Sequence, residues 1–123
     1  VSDIQELLGQ LRQTYLATLP DKIVNLESLW KAQSLQLLKT EYHKLKGTGR
    51  TYGLPEVSQL GEALEHLYEA APAPVIDKAV QLSLSLLRDI STQRSKGLPL
   101  DIENTAGFAE ITALLAVVAK TKS

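Results

Sequence analysis

Apolar residues return every three or four positions along almost the whole chain, and this period constrains the fold more than any other feature. In VSDIQELLGQLRQTYLATL they fall at Ile4, Leu7, Leu8, Leu11, Tyr15 and Leu19, the spacing of one face of a helix. Ser2 with Gln5 three residues later has the form of a capping box. Pro20 interrupts, and DKIVNLESLWKAQ resumes the pattern with Ile23, Leu26, Leu29 and Trp30. One long helix kinked at Pro20, or two helices meeting there, is predicted. Trp30 with Leu26 and Leu29 reads as core. A third pattern runs from about Leu35 to Tyr52, where Gly53 is a natural stop. Pro55 opens the next at a favoured first-turn position, with Val57, Leu60, Leu64, Leu67 and Tyr68 as its stripe. The stiff connector APAP leads to a helix from Val75 to about Arg94. SKGLPL then precedes a last helix, about Asn104 to Lys120, with Phe108, Ile111, Leu115 and Val118 on one side.

No run alternates as a strand does, and no repeat is visible. Short connectors between amphipathic helices make consecutive helices antiparallel neighbours. The expected fold is therefore all-α: an antiparallel up-and-down four-helix bundle with an additional terminal helix. A length of 123 residues suits a single domain, 1–123, with a bundle core over about 2–95 and the extra helix over about 104–120. Few aromatics and abundant Leu and Ala agree with helices. A net charge of −1 gives no pull toward nucleic acid or an acidic membrane surface. Cysteine is absent, which excludes disulfides and thiolate chemistry. The most apolar segment, ITALLAVVA, has nine residues, against roughly 20 for a spanning helix. No charged-then-apolar leader opens the chain, and a cytoplasmic location is expected. Methionine is absent even at position 1, which suggests a piece of a longer chain or a processed one.

One stretch departs from good helix-forming composition. YHKLKGTGRTYGLPE places Gly47, Gly49 and Gly53 within seven residues, beside His43. At 100° per residue, Leu35, Leu38, Tyr42, Leu45, Gly49 and Tyr52 share the core side, and His43 lies roughly 130° from its centre. His43 should thus project from the flank or outside of the bundle. Lys39, Lys46, Gly47 and Arg50 stand at i−4, i+3, i+4 and i+7 from it and share its face. A glycine inside a helix costs about 1 kcal/mol relative to alanine. Core packing cannot be the reason for one on the exposed face. Gly47 reads as a clearing beside the imidazole, open to a phosphoryl group or another protein, with Lys46 as a nearby cation. Gly49 faces the core and would let a neighbouring helix come close. A surface histidine with a clearing and a cation suits reversible loading of a ring nitrogen by an anionic group. KGTGRT fails as a phosphate-cradling loop, because Lys44 and Arg50 stand where that motif needs glycine and lysine, and no strand precedes it. Zinc lacks ligands. His66 has no such surroundings and reads as a plain surface residue.

HKLKGTGRTYG resembles the signature of histidine-containing phosphotransfer (HPt) domains, H-x-x-K-G with a small residue next and a glycine ten residues after the histidine. His43, Lys46, Gly47, Thr48 and Gly53 match it. QLGEALE, Gln59 to Glu65, is similar to the family's L-G-x-x-L-E on the following helix. The resemblance implies a four-helix bundle and phosphorylation of His43 on Nε2. The phosphoryl group would come from, and return to, an aspartate on the receiver domain of a response regulator or hybrid histidine kinase. It implies that Lys46 holds the phosphoryl oxygens, that Gly47 leaves room for the receiver, and that Glu65 hydrogen-bonds the other ring nitrogen and fixes the tautomer. It implies no cofactor of the chain's own, with Mg carried by the receiver, and a carrier without an ATP site rather than an independent enzyme. A monomer is expected. Lys39, Arg50 and Leu54, with Leu37, are candidates for partner contact, although a solvated charged face is the better reading for Lys39 and an equal one for Arg50. Gly49, at a place often taken by alanine or serine, the added charge of Arg50, and the helix after SKGLPL depart from the usual pattern. Two other readings are open: a helical docking module that has lost phosphotransfer, and the phosphoacceptor domain of a chemotaxis-type histidine kinase.

Overall fold

The amphipathic segments form five α-helices in the computed structural model, which describes residues 2–122 and the side chains of residues 3–120. Helix α1 spans Ser2–Lys31, α2 Leu35–Thr51, α3 Pro55–Ala70, α4 Ala73–Ser95 and α5 Ala106–Lys122. A 3₁₀ turn, Ile102–Asn104, precedes α5, so the last helix starts two residues later than its pattern predicts. No strand occurs among the described residues. The Ser2 side chain, and with it the capping box, lies outside them.

α1 runs unbroken through Pro20 and is the single helix of the two alternatives. Pro20 is exposed. A missing ladder bond is tolerated there because water solvates the freed carbonyl. Tyr15, Leu19, Ile23 and Leu26 are buried as their spacing predicts. The first third of the stripe is not. Ile4 is 66 % exposed and Leu11 42 %, with Leu7 and Leu8 between. The amide-side edge of the bundle falls near Arg12, whose Nε donates to the Tyr52 carbonyl at 3.4 Å in the α2–α3 connector. Ile4, Leu7, Leu8 and Leu11 keep the helical spacing but stay open to solvent. Leu35 is likewise exposed, at the open first turn of α2.

Connectors of residues 32–34, 52–54 and 71–72 make each of the first four helices pack on the next, and α1 also packs on α4, closing the bundle. The core is aliphatic, built from Leu19, Leu38, Leu60, Leu64, Leu87 and Ile90. Tyr42 is buried among them, hydrogen-bonded to Ser83. Burial pushes the Tyr42 hydroxyl far above the ordinary phenol range. α5 lies over α3 and α4. Its Ile111 and Val118 are buried and Phe108 and Leu115 half-buried, the side its spacing indicates. Trp30 is half-buried against the core and its indole donates to Asp77.

Two contacts fix the region that matters for function. α2 and α3 meet backbone against backbone. A Cβ on Gly49 would stand 2.6 Å from the Ser58 nitrogen, and one on Gly61 would stand 2.7 Å from both the Lys46 nitrogen and the Tyr42 oxygen. Real Cβ atoms do not come that close, so only glycine fits at either place. The second contact is an ion pair with little solvent access. Arg94 near the end of α4 donates two hydrogen bonds, at 2.9 and 2.8 Å, to Glu56 in the first turn of α3. The Leu100 amide adds a third at 3.1 Å, tying the connector before α5 to the bundle.

Leu54 departs from its expected role. Its side chain is fully buried. Gly53 adopts φ 75°, the left-handed stop that ends α2, and turns the chain inward. The Leu54 amide then donates to the Gly49 carbonyl at 2.7 Å, and its own carbonyl accepts from Val57 and Ser58. Leu54 is a core residue and cannot contribute to a docking patch, whereas Leu37 is exposed.

Candidate functional site

His43 stands on the outer side of α2 and its side chain is 70 % exposed. Across the groove, Glu65 of α3 is 15 % exposed, and its Oε2 lies 2.8 Å from His43 Nδ1. The close seating of Gly61 and Gly49 holds α3 at this distance. Ser58 adds a clamp, its hydroxyl donating to the Lys46 carbonyl at 2.7 Å.

The hydrogen bond from His43 lowers the Glu65 pKa; partial burial opposes this, and the charges of His43, Lys46 and His66 add to the lowering. Glu65 is therefore ionised at neutral pH. An ionised carboxylate only accepts, so Nδ1 carries the proton. In the neutral ring, that leaves the Nε2 lone pair free and facing solvent.

Gly47 lies one turn from His43 and is exposed. A Cβ there would meet nothing within 4 Å. The fold itself makes no demand for glycine at this position, in contrast to Gly49 and Gly61. Lys46 is half-buried and Arg50 exposed, while Lys39 is half-buried one turn before His43. None of the three takes part in an ion pair among the described residues. Lys44 pairs with Glu41. Thr48 faces α1, its hydroxyl 2.8 Å from that of Tyr15, which stacks on Tyr52 with ring centroids 5.0 Å apart. His66 is exposed, as its sequence setting suggests.

The structure thus brings His43, Lys46, Gly47 and Glu65 together on one face, with Lys39 and Arg50 along α2, and removes Leu54. Sequence reasoning did not single out Gly61 and Ser58 as the pieces that seat α3. The glycine of QLGEALE was their one signal. It also missed Glu56–Arg94, a pair separated by 38 residues with no local signature. No group of three or more His, Cys, Asp or Glu among the described residues is placed to hold a metal ion. No helix among them is long and apolar enough to cross a membrane.

The family model of the Hpt domain matches residues 10–107. No curated protein and no solved structure matches the chain. The match takes in the whole of α2, α3 and α4 with the His43–Glu65 pair, and leaves most of α5 and the exposed start of α1 outside it. The chain belongs to the Hpt domain family, the histidine phosphotransfer domains of two-component phosphorelays.

Proposed function

We propose that this chain is a phosphocarrier in which His43 Nε2 takes a phosphoryl group from an aspartyl phosphate on a receiver domain and gives it to another. The observation that carries the reading is the exposed imidazole locked through Nδ1 to Glu65, beside a glycine that nothing in the chain itself requires. In the forward step the Nε2 lone pair attacks phosphorus in line. The P–N bond forms as the P–O bond to the aspartate breaks, and the carboxylate leaves with its electron pair. The ring then holds a proton on Nδ1 and the phosphoryl group on Nε2, so it carries positive charge. Glu65 stabilises that charge through the hydrogen bond already in place. Lys46 offsets charge on the phosphoryl oxygens, and Gly47 lets the receiver backbone approach. Such transfer depends mainly on positioning and charge compensation. The divalent metal and the leaving carboxylate belong to the receiver, and no ATP site of the chain's own is required.

The test is transfer of label from a phosphorylated receiver domain to this chain and to His43→Gln. Acid-labile, base-stable label on the wild type alone is expected. If no receiver labels the wild type while circular dichroism shows the fold intact, the chain is a docking module that has lost phosphotransfer.

A further inference from the structure

The two helices that frame His43 carry opposite charge. α2 contains Lys39, Lys44, Lys46 and Arg50 against one acid, Glu41. α3 contains four glutamates and neither lysine nor arginine. The usual purpose of such a division is cross-helix pairing within the chain. That is not its use here. Lys44 pairs along its own helix with Glu41, and buried Glu56 is taken by Arg94. Among the described residues, the one ion pair between α2 and α3 is His43–Glu65. The side chains of Arg50 on one bank and of Glu62 and Glu69 on the other form no hydrogen bond or ion pair among the described residues. Arg50 of α2 and Glu62 of α3 both line a cleft of about 220 Å³, together with Pro55, Ser58 and Gln59.

Resting on the phosphocarrier reading, we propose that this charge division selects and orients the receiver domain. A fitting partner presents carboxylates over the α2 bank and at least one basic side chain over the α3 bank. Geometry brings both banks under one partner. Arg50 is two turns from His43, roughly 10 Å along α2, and Glu62 is roughly 5 Å from Glu65 along α3. A footprint of about 800 Å² per partner reaches roughly 16 Å from its centre. Charges at that distance from the chemistry act on encounter and register, so they govern which receiver docks rather than the intrinsic reactivity of Nε2.

The experiment compares wild type with Arg50→Glu and Glu62→Lys for transfer from a panel of phosphorylated receiver domains, at low and high salt. Chemical loading of His43 by phosphoramidate, too small to reach from His43 to Arg50 or Glu62, is measured in parallel. Each reversal should change kcat/KM for the best wild-type receiver by about tenfold at low salt and reorder the panel, with the difference shrinking at high salt. Phosphoramidate loading should match wild type. Transfer within twofold of wild type for both variants at low salt, with phosphoramidate loading intact, overturns the charge proposal and leaves the carrier reading standing. A wild type that accepts phosphate from neither phosphoramidate nor any receiver overturns the carrier reading itself.

Discussion

Gly47 and Gly61 sit on facing helices near the same histidine, yet replacing each with alanine should move stability in opposite directions. At Gly47 the added methyl meets nothing within 4 Å. Only the intrinsic preference of the helix then operates, and Gly47→Ala should stabilise by about 0.5–1 kcal/mol. At Gly61 the same methyl would stand 2.7 Å from two backbone atoms of α2. Backbone cannot swing aside as a side-chain tip can. Overpacking of this kind costs about 1–3 kcal/mol, and the propensity gain offsets part of it. A net loss of about 1–2 kcal/mol is expected, together with displacement of Glu65 from His43. Urea denaturation followed by helical circular dichroism reads both changes as shifts in midpoint at constant slope. In thermal melts the two variants should separate by roughly 5–10 °C for a chain of this size. Equal stability of the two variants would refute the backbone contact between α2 and α3, and with it the account of how Glu65 is held.

Three other outcomes test the site and its frame. Gly47→Gln should fold normally but lower transfer from a receiver by about 100-fold, because a side chain beside His43 displaces the in-line approach by an ångström or more; transfer kinetics check it. Glu65→Gln keeps an acceptor for Nδ1–H but loses the charge opposite the phosphorylated ring, so the transfer rate should fall by about tenfold, and Glu65→Ala should lose more because the ring is no longer held. Glu56 supplies the acid sensitivity of the fold. Burial alone would raise its pKa, but hydrogen bonds from Arg94, its own backbone amide and Leu100 outweigh it, and the net shift is below 4.5. A depressed folded-state pKa contributes stability above the unfolded value that is lost as pH falls through the folded one. Stability should therefore decline below about pH 4.5. Glu56→Ala should cost about 3–5 kcal/mol at neutral pH by leaving Arg94 unpaired, and should flatten that acid limb in denaturation series.

The period of apolar residues was sufficient to place all five helices, because each must bury a stripe to persist. It reports which residues share a face, and cannot report whether anything lies opposite. That is why Leu11 and Leu8 carry the same pattern as buried Tyr15 and Leu19 but remain exposed. Leu54 failed for another reason. Projecting helical directions through Gly53 assumes a continuing helix, and a left-handed residue there swings the next side chain into the core. His43, Lys46 and Gly47 were legible because their placement depends on spacing along one helix, which local sequence encodes, whereas Glu65 was indicated only by the resemblance of QLGEALE to the family's second block. The Glu56–Arg94 pair depends on how three distant segments come together, and nothing near either residue announces it.

The close seating of α2 on α3 at two glycines also bears on how the proposed carrier would report its state. Helices separated by a layer of side chains can slide or part as those side chains change rotamer. Where the helices touch through Gly49 and Gly61 there is no such layer to rearrange. On the phosphocarrier proposal, loading His43 would alter the charge at one exposed nitrogen while the scaffold beneath it stays as it was. The message would then rest in the chemistry of a single atom, and a partner would tell loaded from empty by the anion it meets rather than by a change of shape.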